Sequence, residues 1–245
     1  MHQPILKTAA ITLTLLTLSL SVNAQPKYTN FPSETAVPKT KNGQRILHED
    51  DFSKDTLHRI WGTASTTTKI EDGVIKVLSK GGPSGKIKVS VEPFVNCQLR
   101  FRFQFLDSKS LGFGFDDLTA KEILHGGHIL GIRFDKNGSI QIKDNLTGSY
   151  NMEYYQLVKD KKATPELKAV FARCEKQADY PFESEKWYDA LIEINGDTVA
   201  ISMNGSKVIE FQSPGFAHPR KDMYRFLIGN GELHIDDVSL ISTGN

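Results

Sequence analysis

The sequence predicts an all-β chain, an antiparallel two-sheet sandwich with one short α-helix inserted near residues 164–176. Three observations carry this. Short apolar runs are joined by Asp72-Gly73, Asn137-Gly138, Asn195-Gly196 and Asn204-Gly205, pairs favoured in tight hairpins because both residues tolerate positive φ. In NCQLRFRFQF, Cys97, Leu99, Phe101, Phe103 and Phe105 fall on one face and Asn96, Gln98, Arg100, Arg102 and Gln104 on the other, the period of a half-buried strand. Burying the three phenylalanines contributes on the order of 5 kcal/mol, enough to fix the register. Finally, TPELKAVFARCEKQ has Thr164 as N-cap, Pro165 at the first helical position, and Leu167, Val170, Phe171 and Cys174 at helical spacing. That apolar stripe is expected to cover one end or edge of the sandwich.

The chain divides into three parts. Lys7 precedes the apolar run Thr8–Val22, which ends in a small-residue pattern at Ala24. A membrane span needs roughly 20 apolar residues, so residues 1–24 read as a signal peptide, with the remainder exported to a periplasmic or extracellular location and not held in the membrane. Residues 25–44, with three prolines and no periodicity, read as an irregular arm or linker. Residues 45–242 read as a single sandwich domain. Removing the leader takes one lysine, leaving 29 basic residues against 29 acidic ones. No basic block points to nucleic acid or an anionic membrane, and a neutral, polar substrate fits better. Cys97 and Cys174 either pair in an oxidising compartment or fill separate apolar sites.

The motifs of phosphate-binding loops, nucleophile elbows, paired-cysteine metal clusters and zinc proteases are all missing. So is the E-x-D-x-E strand of sandwich glucanases. What remains is GFGFDDLTAKEILHGGHILGIRF, residues 112–134, two strands enclosing a loop at 118–127. Gly126-Gly127 lets the backbone turn so that His125 and His128 converge near Asp116 and Asp117. Such a set would hold a divalent metal or pair a histidine base with an orienting carboxylate, or else form a polar strand end. Arg100 and Arg102 share a strand face suited to ligand hydroxyl or carboxylate groups. Asp144, in the turn DNLTG, is placed to reach the same sheet end as the histidines, and His218, Arg220 and Lys221 in GFAHPRK form a candidate substrate loop. Tyr150, Tyr154, Tyr155, Trp187 and Tyr188 supply rings able to stack on sugars. If the first and last strands are neighbours, Asp50 and Asp51 approach Asp236 and Asp237, and Asp50 with Asp237 become candidate ligands of a structural calcium.

Taken together, EDDFSKDTLHRIW, IEDGVIKV, FDDL with HGGHILGIRF, WYDALIEINGDTVAISMNG, SPGFAHPRK and HIDDVSL resemble exported bacterial proteins with the concanavalin A-like lectin/glucanase jelly roll. The nearest group is the 3-keto-disaccharide hydrolase domain family, of which the chain resembles a divergent member: LGFGFDD and HEDDFSKD stand where better-known members have N-S-G-I-x-x-R and an Asn-Gly-Lys-Asp opening. The resemblance spans residues 45–242. It implies cleavage of 3-keto-glycosides by removal of the proton beside the ketone, loss of the C1 substituent and addition of water. In that chemistry His128 or His125 is the expected base, Asp116 or Asp117 its orienter or a metal ligand, and Arg133 or Arg100 the cation near the developing charge. The competing expectation is a lectin-like module that holds carbohydrate without cutting it.

Overall fold

A computed structural model of the chain describes residues 32, 34–64, 66–79 and 85–244; the expected signal peptide lies outside them. Sixteen strands follow one another: β1 Lys39–Lys41, β2 Gln44–Asp50, β3 Trp61–Ala64, β4 Thr67–Glu71, β5 Val74–Ser79, β6 Gly85–Phe94, β7 Cys97–Phe105 and β8 Ser110–Asp116; then β9 His128–Asp135, β10 Ser139–Asp144, β11 Glu175–Asp179, β12 Trp187–Asn195, β13 Thr198–Met203, β14 Ser206–Gln212, β15 Lys221–Ile228 and β16 Gly231–Ser242. The first sheet runs β1-β2-β16-β7-β12-β13-β14, with β5 also on β16 and β4 on β5; the second runs β11-β10-β9-β8-β15-β6-β3. All the strand pairs within these two sheets are antiparallel. The all-β sandwich read from the sequence is the fold observed.

The core lies between the sheets, and the alternation of β7 builds it. Phe101, Phe103 and Phe105 are buried and meet Phe113, Phe134, Phe182, Tyr188 and Phe226, largely edge-on or tilted, the geometries that ring quadrupoles favour. Asp72-Gly73 and Asn204-Gly205 take positive φ at both residues and close β4–β5 and β13–β14.

Two boundaries differ from the sequence reading. The expected arm is part of the sandwich from Thr35 onward: the Ala36 N–H donates to the Ser90 carbonyl, and β1 pairs with β2. Asn42-Gly43, both at positive φ, makes this one more Asn-Gly hairpin. Second, two helices stand where one was expected. Pro165–Arg173 opens as read, the Thr164 hydroxyl accepting from Leu167 N–H. Met152–Lys159 precedes it, capped by the Asn151 side chain, and buries no residue, leaving Met152, Tyr155, Leu157 and Val158 exposed. Cys97 is buried on β7 whereas Cys174 follows the second helix, and neither is bridged. No helix among the described residues is long and apolar enough to cross a membrane.

Among the described residues, His48 on β2 is the one buried histidine. It shares a 2.6 Å hydrogen bond between Nδ1 and the Tyr224 hydroxyl and meets Trp61 edge-on. Burial, reinforced by the charges of His58 and Lys39, pushes its imidazole down to about 3. The folded state therefore holds His48 neutral while the unfolded chain takes up a proton below about 6.5. This contribution is complete above that pH and is lost as pH falls towards the folded value. Urea unfolding between pH 6.5 and 5 is expected to show a loss of about 2 kcal/mol from this group. A His48→Asn variant should flatten that slope; an unchanged slope would contradict the account.

Candidate functional site

The outer face of the second sheet carries a cleft of about 420 Å³. Its floor follows from strand register. Lys143, Gly131, Gly114, Arg225 and Lys88 stand opposite one another across β10, β9, β8, β15 and β6, and Gln141, Arg133, Gly112, Leu227 and Lys86 form the next row. The glycines leave a trough between taller side chains. Gly114 is needed, because a Cβ there would lie 2.6 Å from Arg225 Nη2 and 2.8 Å from the Leu130 carbonyl.

Asp116 ends β8 on this face, fully buried. Arg225 of β15 is in contact with its Oδ1, and His128 Nδ1 lies 2.9 Å from the same oxygen, at an angle poor for a hydrogen bond. Burial, then the charges of Lys86 and Lys88, push the His128 imidazole down to about 3. His125, exposed on the loop, has its ring 5.9 Å from His128 and 5.2 Å from Tyr150. Burial, His128 and Lys86 lower its pKa too.

The loop is held in this shape by its backbone. Asp117 N–H donates to the Gly127 carbonyl and Leu124 N–H to the Tyr150 carbonyl, bolting residues 117–127 to the segment that carries Asn145 and Tyr150. His125, Gly126 and Gly127 all take positive φ, the turn expected from the glycine pair.

The sequence-based candidates separate into four places. His125, His128 and Arg133 line the cleft, with Asp116 behind. Asp117 points away from Asp116: its carboxylate is 2.8 Å from His218 Nε2 and 3.4 Å from Arg220 Nε, and accepts from Thr119 N–H and Oγ1–H. Burial works to raise the Asp117 carboxyl, but His218 and Thr119 hold it below the usual range. Lys221 is buried, donating to the Val95 and His218 carbonyls, and burial brings it down to about 8. Asp144 is buried as well, accepting from Thr147 N–H, Thr147 Oγ1–H, Ser213 Oγ–H and Gly215 N–H. Its oxygens are saturated by protein donors, so it ties two connections together and does not line the cleft.

Arg100 and Arg102 lie on the outer face of the other sheet. Arg102 is 3.3–3.6 Å from Asp189, Asp236 and Asp237 and sits 5.0 Å over the Trp187 ring. Asp50 accepts from Phe52 N–H and Trp61 Nε1–H. Asp50 and Asp237 border a second cavity of about 750 Å³, but among the described residues no three His, Cys, Asp or Glu side chains are placed to hold a metal. The acids expected to gather a calcium are met by a guanidinium and an indole N–H. Sequence reasoning passed over Arg225, Lys86 and Lys88; the signal was cations on alternate positions of otherwise apolar strands, KIKVSV and MYRFLI.

The sequence profile described as the 3-keto-alpha-glucoside-1,2-lyase-like domain matches residues 41–235, and the chain belongs to that family, a carbohydrate-related β-sandwich. No curated protein matches it by sequence. Among solved structures it is similar to a sialidase (TM-score 0.57, 14% identity, 81% of this chain and 18% of that one). It is also similar to a Bacillus subtilis protein of unknown function with a galectin-like fold (0.55, 11%, 85% and 100%) and to carbohydrate-binding module CBM66 from Bacillus subtilis (0.50, 11%, 75% and 96%). The chain spans less than a fifth of the sialidase's length, and at these identities the likeness is one of fold.

A methyl group at Gly127 would overlap the Asp117 carbonyl oxygen, at a φ of +87° that L-residues avoid. Gly127→Ala is therefore expected to destabilise the protein by more than about 1 kcal/mol and to release His125 from Tyr150. Chemical denaturation, together with the histidine ring signals in NMR, checks both; a variant of wild-type stability would mean that the loop turns differently.

Proposed function

We propose that the protein is an exported enzyme that cleaves 3-keto-glycosides by elimination, with His128 as the base. The observation that carries this reading is the His128 ring in a cleft, backed by the buried Asp116–Arg225 pair and flanked by His125 and Tyr150. A ketone at C3 acidifies the C2 proton. His128 Nε2 removes it, and the electron pair is held as an enolate, the charge that Arg225 and Lys86 are placed to stabilise. Return of the enolate electrons to carbon expels the C1 oxygen, which takes a proton from the Tyr150 hydroxyl as the aglycone departs. Water then adds to the unsaturated ketone. Asp116 stabilises the imidazolium formed in the first step, and Arg133 orients the sugar. Family membership and the resemblance to carbohydrate-binding folds support a sugar in the cleft.

The reading is tested with 3-keto-glucosides bearing a chromogenic aglycone. His128→Ala should lower kcat by about 10²–10⁴-fold, with the circular dichroism and unfolding midpoint of a folded protein. Unchanged turnover would remove His128 from the mechanism, and affinity for glycosides without any product from the wild type would favour a sugar-holding module. Because both cleft imidazoles are pushed below their ordinary value, the base stays neutral as pH falls through 6.5. The acid limb of kcat/KM is therefore expected below about 6.5; a limb above it would point to another base.

A further inference from the structure

We propose that the cleft takes glycosides carrying an anionic group, a carboxylate or a sulfate or phosphate ester, in preference to neutral sugars. This rests on the reading above only for the place of the sugar ring, beside His128. Among the described residues lining the cleft there is no aspartate or glutamate, whereas Lys86, Arg133, Lys143 and Arg225 all line it. With 30 basic and 29 acidic residues in the whole chain, this is a local segregation of charge and not a consequence of composition.

The strand register shows how the segregation is built. Lys88 and Arg225 stand directly opposite each other on β6 and β15, each only 3% exposed. Arg225 is matched by Asp116 from beneath the floor, so the acid of this group is withdrawn while Arg225 and Lys86 line the cleft. The next row adds Lys86 on the same side. Across the glycine trough stand Arg133 and Lys143, whose acidic partners Asp135 and Glu175 form half-exposed pairs at the rim, where ion pairs contribute little. Strands are about 4.8 Å apart, so the floor of Gly112, Gly114 and Gly131 is about as wide as one sugar ring, with cations on both flanks. The enolate accounts for a charge beside His128 and Arg225. Arg133 and Lys143 lie on β9 and β10, on the other flank of the trough, where an anionic substituent on the ligand would meet both cations from the cleft side in competition with their half-exposed pairs to Asp135 and Glu175.

The test uses isothermal titration of the full protein with methyl glucuronide, glucose 6-sulfate and methyl glucoside. At about 0.05 M salt at least one anionic sugar should bind about ten-fold tighter than methyl glucoside, and the preference should shrink at about 0.5 M salt. The double variant Arg133→Gln, Lys143→Gln should bring the ratio close to one. Preference for the glucuronide alone would name the anion as carboxylate, and for the sulfate alone as an ester. Equal affinity for all three sugars, or binding of none, overturns the inference whatever the turnover assay gives. Anion preference in a protein that releases no aglycone from neutral or anionic 3-keto-glycosides leaves the ligand class standing and sinks the elimination reading instead.

Discussion

A carboxylate with no access to water is costly unless opposite charge and hydrogen-bond donors surround it, and Asp116 imposes that constraint on the candidate site. Its side chain is fully buried at the end of β8, so the neighbouring strand must bring a cation to it. Arg225 does so, but a guanidinium can lie across β8 only where the strand has no side chain, which is the reason for Gly114. On the other side β9 begins at the same level, after a register shift between Phe115 and Asp116 that sets His128 against the acid. One buried acid thus accounts for an arginine, a glycine and the orientation of an imidazole.

The strand period does the rest. Asp116 and Asp117 are neighbours and so point to opposite sides, each finding its own histidine, His128 in one case and His218 in the other. The second pair is a brace. Asp117 also accepts from Thr119, while Asp222 accepts from Leu118 N–H and from Arg220, so the 117–123 stretch is fastened to the 214–222 connection. That connection is fastened in turn by Asp144 through Ser213 and Gly215. Residues on three separate segments hold the loop that presents His125.

How much of this was legible in the sequence depends on the range of the interaction. Hairpin turns and the alternation of β7 are local and were read correctly. The helix at Pro165–Arg173 is legible because Thr164 and Pro165 mark its start, whereas Met152–Lys159 opens on Asn151 with no proline behind it and packs no side chain into the core. The convergence of His125 and His128 followed from the Gly126-Gly127 break. The separation of Asp116 from Asp117 was also available from the strand period but was obscured by their adjacency. Arg225, Lys86 and Lys88 could not be joined to the site from sequence, since over a hundred residues separate β6 from β15 and only strand order makes them neighbours. Arg100 and Arg102 were misplaced for the same reason: nothing along the chain says which sheet's outer face a strand will supply.

The two outer faces also divide the charge of a nearly neutral chain. On the β7 sheet, Arg102 is encircled by Asp189, Asp236 and Asp237, so that face satisfies its own charges and presents a guanidinium stacked on Trp187. On the β8 sheet, the acid is withdrawn beneath the surface and the cations are left around the trough. Because the charge there is fixed by strand register and not by mobile loops, it is in place before a ligand arrives, and little reorganisation is needed to meet negative charge. The core between the faces, packed by Phe101, Phe103 and Phe113, holds the two sheets against each other, so the cations around the trough keep their places on a firm backing.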